Sequence, residues 1–261
     1  MFASNVDRRL IDSQDGSSDA AENDGCVPIP NESLLDNPIL NSLLTDHQNW
    51  ALTHGTARRF VPDVGPLSGT PDQSIASYEA LRVLAGDGGV LALFFRMPPA
   101  PPKDWQLVRG GLLSQMICTQ PESEEPVSSV PIPALRRLTA ADVPAMLALT
   151  ELTEPGPFRT RTYELGNFYG VFESDRLLAM AGQRLSVPGF IEVSAVCTHP
   201  DARGRGYARA LISRVMQDIR QQGRIPFLHV FADNHPAIRV YEGLGFTQRR
   251  TFHLAVLKNE A

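Results

Sequence analysis

At 261 residues, with 43% hydrophobic and 20% charged side chains, the chain has a globular composition and the length for one large domain or two ordinary ones. A net charge of −5 argues against a general nucleic-acid binder, and no apolar run approaches the roughly eighteen residues that span a bilayer. Asp7, Asp12 and Asp15 stand where a secretory signal would be apolar, and Cys26, Cys118 and Cys197 have neither metal nor redox spacing.

The expectation is therefore a cytoplasmic protein with no metal, no nucleic-acid partner and no membrane partner, its sparse thiols suited to a reducing compartment. Residues 1–33 carry seven acidic and two basic side chains and almost no large apolar groups, the composition of a flexible tail. Residues 34–120 read as a small α/β half. Asn37-Pro38 opens a helix with Ile39, Leu40, Leu43, Leu44 and His47 at helical spacing. A second helix is predicted over 72–85, then strands over 90–95 and 107–118, the latter broken by Gly110 and Gly111. No reactive cluster stands out in this half. Residues 121–133 hold four prolines, three glutamates and three serines, an extended linker by composition.

Residues 134–261 read more sharply. A short strand at 135–138 leads to a T-x-x-D pattern at Thr139 and a helix carrying Val143, Met146, Leu147 and Leu149. A hairpin follows around Ser174-Asp175, from 168–172 to 176–183. Then come a strand at 190–198, a long helix at 206–222, a strand at 227–232, a short helix at 236–244 and a last strand at 251–258. The order β-α-β-β-β-α-β-α-β implies a mixed β-sheet flanked by helices, an α/β fold.

The run from His199 to Ala208 carries the chemistry. It lies between a strand and a helix whose Tyr207, Ala208, Leu211, Ile212, Val215 and Ile219 share one face. Gly204 and Gly206 thus stand at a helix N-terminus, where free N–H groups and the helix dipole attract anions, and glycine lets a phosphate approach the backbone. Arg203 and Arg205 add positive charge. A Walker loop is excluded because its Lys-Ser/Thr pair is absent, and a Rossmann site does not fit the strand order. An ordinary strand–helix turn with spare arginines stays open at this point. On the preceding strand, alternation puts Glu192, Ser194, Val196 and Thr198 on one face and Val193, Ala195 and Cys197 on the other. Asn234 follows the next strand, and Tyr241 lies on the short helix after it.

R-G-R-G-Y-A at 203–208, E-V-S-A-V-C-T at 192–198 and N-x-x-A-I-x-x-Y-x-x-L-G-F at 234–246 together resemble the GNAT acyltransferase superfamily. The G-Y-A variant is most similar to its glycine N-acyltransferase-like subgroup. The resemblance covers 131–261 and implies an N-acyltransferase that passes an acetyl group from acetyl-CoA, or another short acyl-CoA, to a primary amine by direct attack on the thioester. It implies that the backbone of Arg203, Gly204, Arg205, Gly206, Tyr207, Ala208 and Arg209 holds the diphosphate. By the same resemblance Val196, Cys197 and Thr198 pair with the pantetheine, an N–H near Val196 steadies the oxyanion, and Asn234 touches the cofactor arm. Glu192 aligns with a general base; its alternative is a carboxylate paired with a nearby Arg or His. Tyr241 aligns with the acid for the leaving thiolate; its alternative is a partly buried helix tyrosine. His229 reads as a hydrogen-bonded core histidine, and Arg159 and Arg161 fall where an acceptor carboxylate could bind. The acceptor is expected to be a small molecule, with a peptide amine or a catalytically silent CoA-binding module as the other readings. Residues 37–118 are compatible with a degenerate copy of the same fold that covers the acceptor or acts in dimerisation, so the protein is a monomer or homodimer.

Overall fold

The computed structural model describes residues 30–120 and 134–260; the expected linker and all but the end of the expected tail lie outside the described residues. Structure begins earlier than the tail boundary implies, in a 3-10 turn over Glu32–Asp36 that buries Leu35. The amino-terminal elements are α1 (Pro38–Leu44), β1 (Ala51–His54), β2 (Ala57–Phe60), β3 (Ser68–Gly69), α2 (Ile75–Ala85), β4 (Val90–Phe95) and β5 (Trp105–Ile117). They are followed by β6 (Arg136–Arg137), α3 (Val143–Thr153), β7 (Phe168–Glu173), β8 (Arg176–Val187) and β9 (Phe190–Thr198). The last elements are α4 (Tyr207–Gln221), β10 (Ile225–Phe231), α5 (His235–Glu242) and β11 (Thr247–Asn259). No helix among the described residues is long and apolar enough to cross a membrane.

Local chemistry explains most helix boundaries. Pro38 sits in the first turn of α1, where its missing N–H costs nothing, although Asn37 spends its amide on the Thr70 carbonyl instead of capping. Thr139 and Asp142 form a reciprocal capping box just before α3, which also explains why Pro144 is tolerated there.

Sheet pairing joins the two parts of the chain. Eight strands form one sheet in the order β4-β11-β5-β10-β9-β8-β7-β6. β5 lies between β10 and β11, antiparallel to both, and β4 pairs with the outer edge of β11. The two long strands of residues 34–120 are thus not neighbours of each other; each joins the sheet through strands of residues 134–261. The physical reason is that β10 and β11 need a strand between them, and β5 satisfies both edges at once. Nor is β5 broken at its glycines: Gly110 and Gly111 pair in register with Ala255 and Leu254. A side chain at Gly111 would stand 2.9 Å from the Phe231 ring, so glycine there admits an aromatic across the sheet.

Alternating residues sort onto the two faces. Tyr169, Ile191 and Leu228 pack with Leu211, Val215 and Ile219 of α4 and with Tyr241 and Phe246. Phe190 and Phe227 pack on the opposite face with Ile39 and Leu43 of α1, and Phe168 and Met180 with Met146 and Leu149 of α3. Each fully buried Phe or Leu contributes roughly 1.5–3 kcal/mol. This double cover holds the centre of the sheet rigid around the site.

Candidate active site

The site opens where β9 and β10 part. These parallel strands pair only over Phe190–Glu192 and Ile225–Phe227. Beyond Glu192, β9 runs on to Thr198 and β10 to Phe231 without pairing to each other, which leaves a V between them. On its other edge β9 bulges against β8: Cys197 faces Met180 and Ser194 faces Gly182, so two residues of β9, Ala195 and Val196, have no partner in register. Ala195 adopts φ 51°, a left-handed conformation that costs an alanine about 1–2 kcal/mol. Backbone strain on the β8 edge coincides with the stretch of β9 that has no β10 partner on its other edge, the combination expected of a binding site.

The bulge also corrects the strand alternation. It reverses the faces, so that Cys197 packs with Phe158, Phe168 and Met180 on the α3 side, the side of Glu192, while Val196 packs against the α4 side. Burial pushes the Cys197 thiol up to about 11, which disposes of it as a nucleophile. Thr198, at the open end of β9, has a buried hydroxyl without a partner among the described residues.

The glycine turn lies beyond the mouth of the V. Gly204 (φ 76°) and Gly206 (φ 78°) are both left-handed, and a Cβ on Gly204 would meet nothing within 4 Å. Residues 203–206 are exposed, and no side chain caps α4 at Gly206. The first N–H groups of a 15-residue helix are therefore turned toward open space. Arg203 is exposed; Arg205 donates to the Asp201 carbonyl at 3.1 Å, and Arg209 to the Gly243 carbonyl at 2.9 Å. Tyr207 is buried in the core beneath α4, so only its main chain faces the turn. Asn234 caps α5, its side-chain oxygen accepting from the Ala237 N–H at 3.2 Å.

Tyr241 is largely buried, and its hydroxyl donates no hydrogen bond among the described residues; burial pushes its phenol up to about 12. Glu192 is fully buried and ion-paired, the paired alternative of its sequence reading. Arg184 donates Nε and Nη2 to its two oxygens at 2.8 and 2.9 Å, and His229 donates Nδ1 at 2.7 Å. Burial alone would raise this carboxyl, but the Arg184 charge and the hydrogen bonds from His229 and Arg184 outweigh it and hold it at about 2. His229 is the core histidine expected, with Phe94, Phe227 and Phe252 around its ring.

On the Glu192 side a narrow pocket is lined by Pro155, Gly156, Phe158, Thr162, Arg184 and Ala195. Arg161 is not part of it: it pairs with Glu164 and stacks on Trp50 at 4.8 Å. Arg184 was missed from the sequence, although an arginine interrupting an apolar strand next to a strand with a lone glutamate is a usable signal.

These residues fit an acyl-CoA: an open anion-binding turn, a slot with unpaired strand backbone, and an orphaned hydroxyl at its end. The comparisons agree. The profile of the FR47-like protein family matches residues 168–254. Mycothiol acetyltransferase of Actinosynnema mirum is 36% identical over 84 residues, which is 32% of this chain and 28% of that protein's length. A solved structure from Novosphingobium aromaticivorans, described as an acetyltransferase from the GNAT family, is 38% identical and covers 87% of this chain and 99% of its own, with a TM-score of 0.77. A GCN5-related N-acetyltransferase from Kribbella flavida shares the fold at 15% identity and a TM-score of 0.57, over 85% of this chain and 95% of that one. The chain belongs to the GNAT family of acetyltransferases.

Proposed function

We propose that this protein transfers an acetyl group from acetyl-CoA to the primary amine of a small molecule. The observation that carries the reading is the V between β9 and β10, where β9 runs on beyond Glu192 with no β10 partner, and the open turn at Gly204–Gly206 beyond its mouth. Bound acetyl-CoA would supply the activated acyl group. The amides at the start of α4 would hold its diphosphate, aided by Arg203; the backbone from Val196 to Thr198 and the Asn234 amide would bind its arm. The name of the mycothiol acetyltransferase relative supports acetyl as the donor group, and the Gly206-Tyr207-Ala208 start of α4 supports a place near the glycine N-acyltransferase-like subgroup.

The amine must arrive without its proton, and an aliphatic amine of pKa near 10 is mostly protonated at neutral pH. Glu192, held at about 2 and already engaged, is a poor acceptor for that proton. The free-base fraction of the acceptor then sets the rate, and kcat/KM should rise about tenfold per pH unit from pH 6 toward the amine pKa. Tyr241 supplies a hydrogen bond to the departing sulfur.

Thiol release from acetyl-CoA, followed across amines, amino acids and peptides, tests the proposal. Release stimulated by small primary amines is the expected result. Heat of acetyl-CoA binding without release from any acceptor would leave a silent CoA-binding module, and no heat at millimolar ligand would end the CoA reading altogether.

A further inference from the structure

Glu192 stands at the apex of the V, the last residue of β9 to pair with β10, opposite Phe227. Its carboxylate binds groups from both neighbouring strands at that point. From β8 come the Arg184 guanidinium, at 2.8 and 2.9 Å, and the Leu185 N–H at 3.3 Å. From β10, two residues past the end of the backbone pairing, comes His229 Nδ1 at 2.7 Å. A carboxylate has about four acceptor directions, and these four donors use them all. None is left for an amine or for a water in contact with one.

His229 is fixed in turn. Gln115 of β5 places its amide nitrogen 3.1 Å from His229 Nε2 and 2.9 Å from the Leu35 carbonyl, while its oxygen accepts from Arg249 of β11 at 3.0 Å. Both amide protons of Gln115 are thus committed to acceptors, which puts the His229 proton on Nδ1, facing Glu192. The hydrogen bond from His229 to Glu192 spans the gap just where the β9–β10 ladder has ended.

We infer that Glu192, Arg184 and His229 are positioning residues that set the separation of β9 and β10, and hence the width of the slot for the acyl-CoA arm, and that Glu192 is not the proton acceptor. The inference rests on the reading of the V as the acyl-CoA slot. It places the effect of these residues on CoA affinity, whereas a proton acceptor would act on turnover and its pH dependence.

The test compares His229→Leu, which removes the bond across the gap but keeps the Arg184–Glu192 pair, with His229→Asn, whose amide can take the place of Nδ1. Acetyl-CoA affinity is read by calorimetry, kcat and KM by thiol release, and folding by thermal melting well above the assay temperature. His229→Leu should weaken acetyl-CoA binding about tenfold, raise its KM in step and change kcat less than threefold; His229→Asn should recover most of the affinity. Glu192→Gln, where it folds, should likewise raise KM and keep the shape of the kcat/KM profile. Unchanged acetyl-CoA affinity in a folded His229→Leu protein overturns the inference. So does a Glu192→Gln protein that binds acetyl-CoA normally but loses kcat and the acidic limb of its profile. Absence of wild-type turnover with any amine would instead count against the proposed function, and the calorimetric comparison would still stand.

Discussion

The ring of Tyr241 meets that of Phe246 edge-on, with centroids 6.0 Å apart, in the same apolar cluster that holds Tyr207 beneath α4. The packing fixes the direction of the phenol and strips it of water, which is why its proton is held so firmly, up to about 12. A thiol of pKa about 8.5 is a much better anion, so full transfer from Tyr241 would be uphill by roughly 5 kcal/mol. In the proposed reaction its role is hydrogen-bond donation to the leaving sulfur. Tyr241→Phe should lower kcat by about ten- to a hundredfold, the weight of one charge-assisted hydrogen bond, and leave acetyl-CoA affinity within a factor of about two. Melting should be unchanged, since the hydroxyl donates to no described residue. Steady-state kinetics with parallel calorimetry checks it; an unaltered kcat removes Tyr241 from the reaction.

Gly204 tests the turn. Its φ of 76° is strained for any other residue, and the space beyond it is open. Gly204→Val should cost about 1–2 kcal/mol of stability from the backbone alone. It should weaken acetyl-CoA binding by more than tenfold, because the branched side chain would occupy the approach to the α4 amides. A valine protein that melts slightly lower yet binds acetyl-CoA as well as the wild type would mean that the diphosphate does not sit here.

Local chemistry made much of this readable in the sequence. Pro38, the Thr139–Asp142 box and the glycines before Tyr207 each act within a few residues of themselves, and each marked its element within a few positions. What escaped was non-local or unsignalled. Nothing in the composition of β5 says that its neighbours will be β10 and β11, more than a hundred residues away. Alanine carries no mark of a left-handed φ, so the bulge at Ala195 and the reversed faces after it could not be seen. The hairpin of β1 and β2, Ala51–His54 with Ala57–Phe60, has too little alternation to stand out from a loop. For Glu192 the two readings diverged on a single fact, whether a cation reached it, and Arg184 does so from the neighbouring strand.

That ion pair has a consequence for acid stability. A carboxyl whose folded pKa is depressed, here from an ordinary 4.5 to about 2, contributes stability that is fully present above the unfolded value and is lost as pH falls through the folded one. The window is therefore about pH 5 to pH 2, and the contribution is on the order of 3 kcal/mol. Denaturant unfolding across that window should show the wild type losing stability more steeply than an Arg184→Met, Glu192→Met double variant. At neutral pH the double variant should lose about 1–3 kcal/mol, because His229 Nδ1 and the Leu185 N–H lose their acceptor, whereas Arg184→Met alone, which strands the carboxylate, should cost about 3–5 kcal/mol. Equal slopes for wild type and double variant would mean that Glu192 is not the depressed group.

The place of β5 bears on how the chain folds. β10 takes hydrogen bonds from β5 over Phe227–Phe231, and β11 does so along nearly its whole length, from Thr247 to Asn259. Without β5, both strands would present bare edges and the Phe231 ring would lose its seat on Gly111. Although all three resemblance motifs lie in residues 134–261, this fragment alone should not fold. It should show weak near-ultraviolet circular dichroism, bind hydrophobic dyes and aggregate at micromolar concentration. Co-expression with residues 30–120 as a separate chain should restore a soluble complex and acetyl-CoA binding. A fragment of 134–261 that melts cooperatively and binds acetyl-CoA by itself would show that β10 and β11 can close on each other, and that β5 is an addition to a domain already complete.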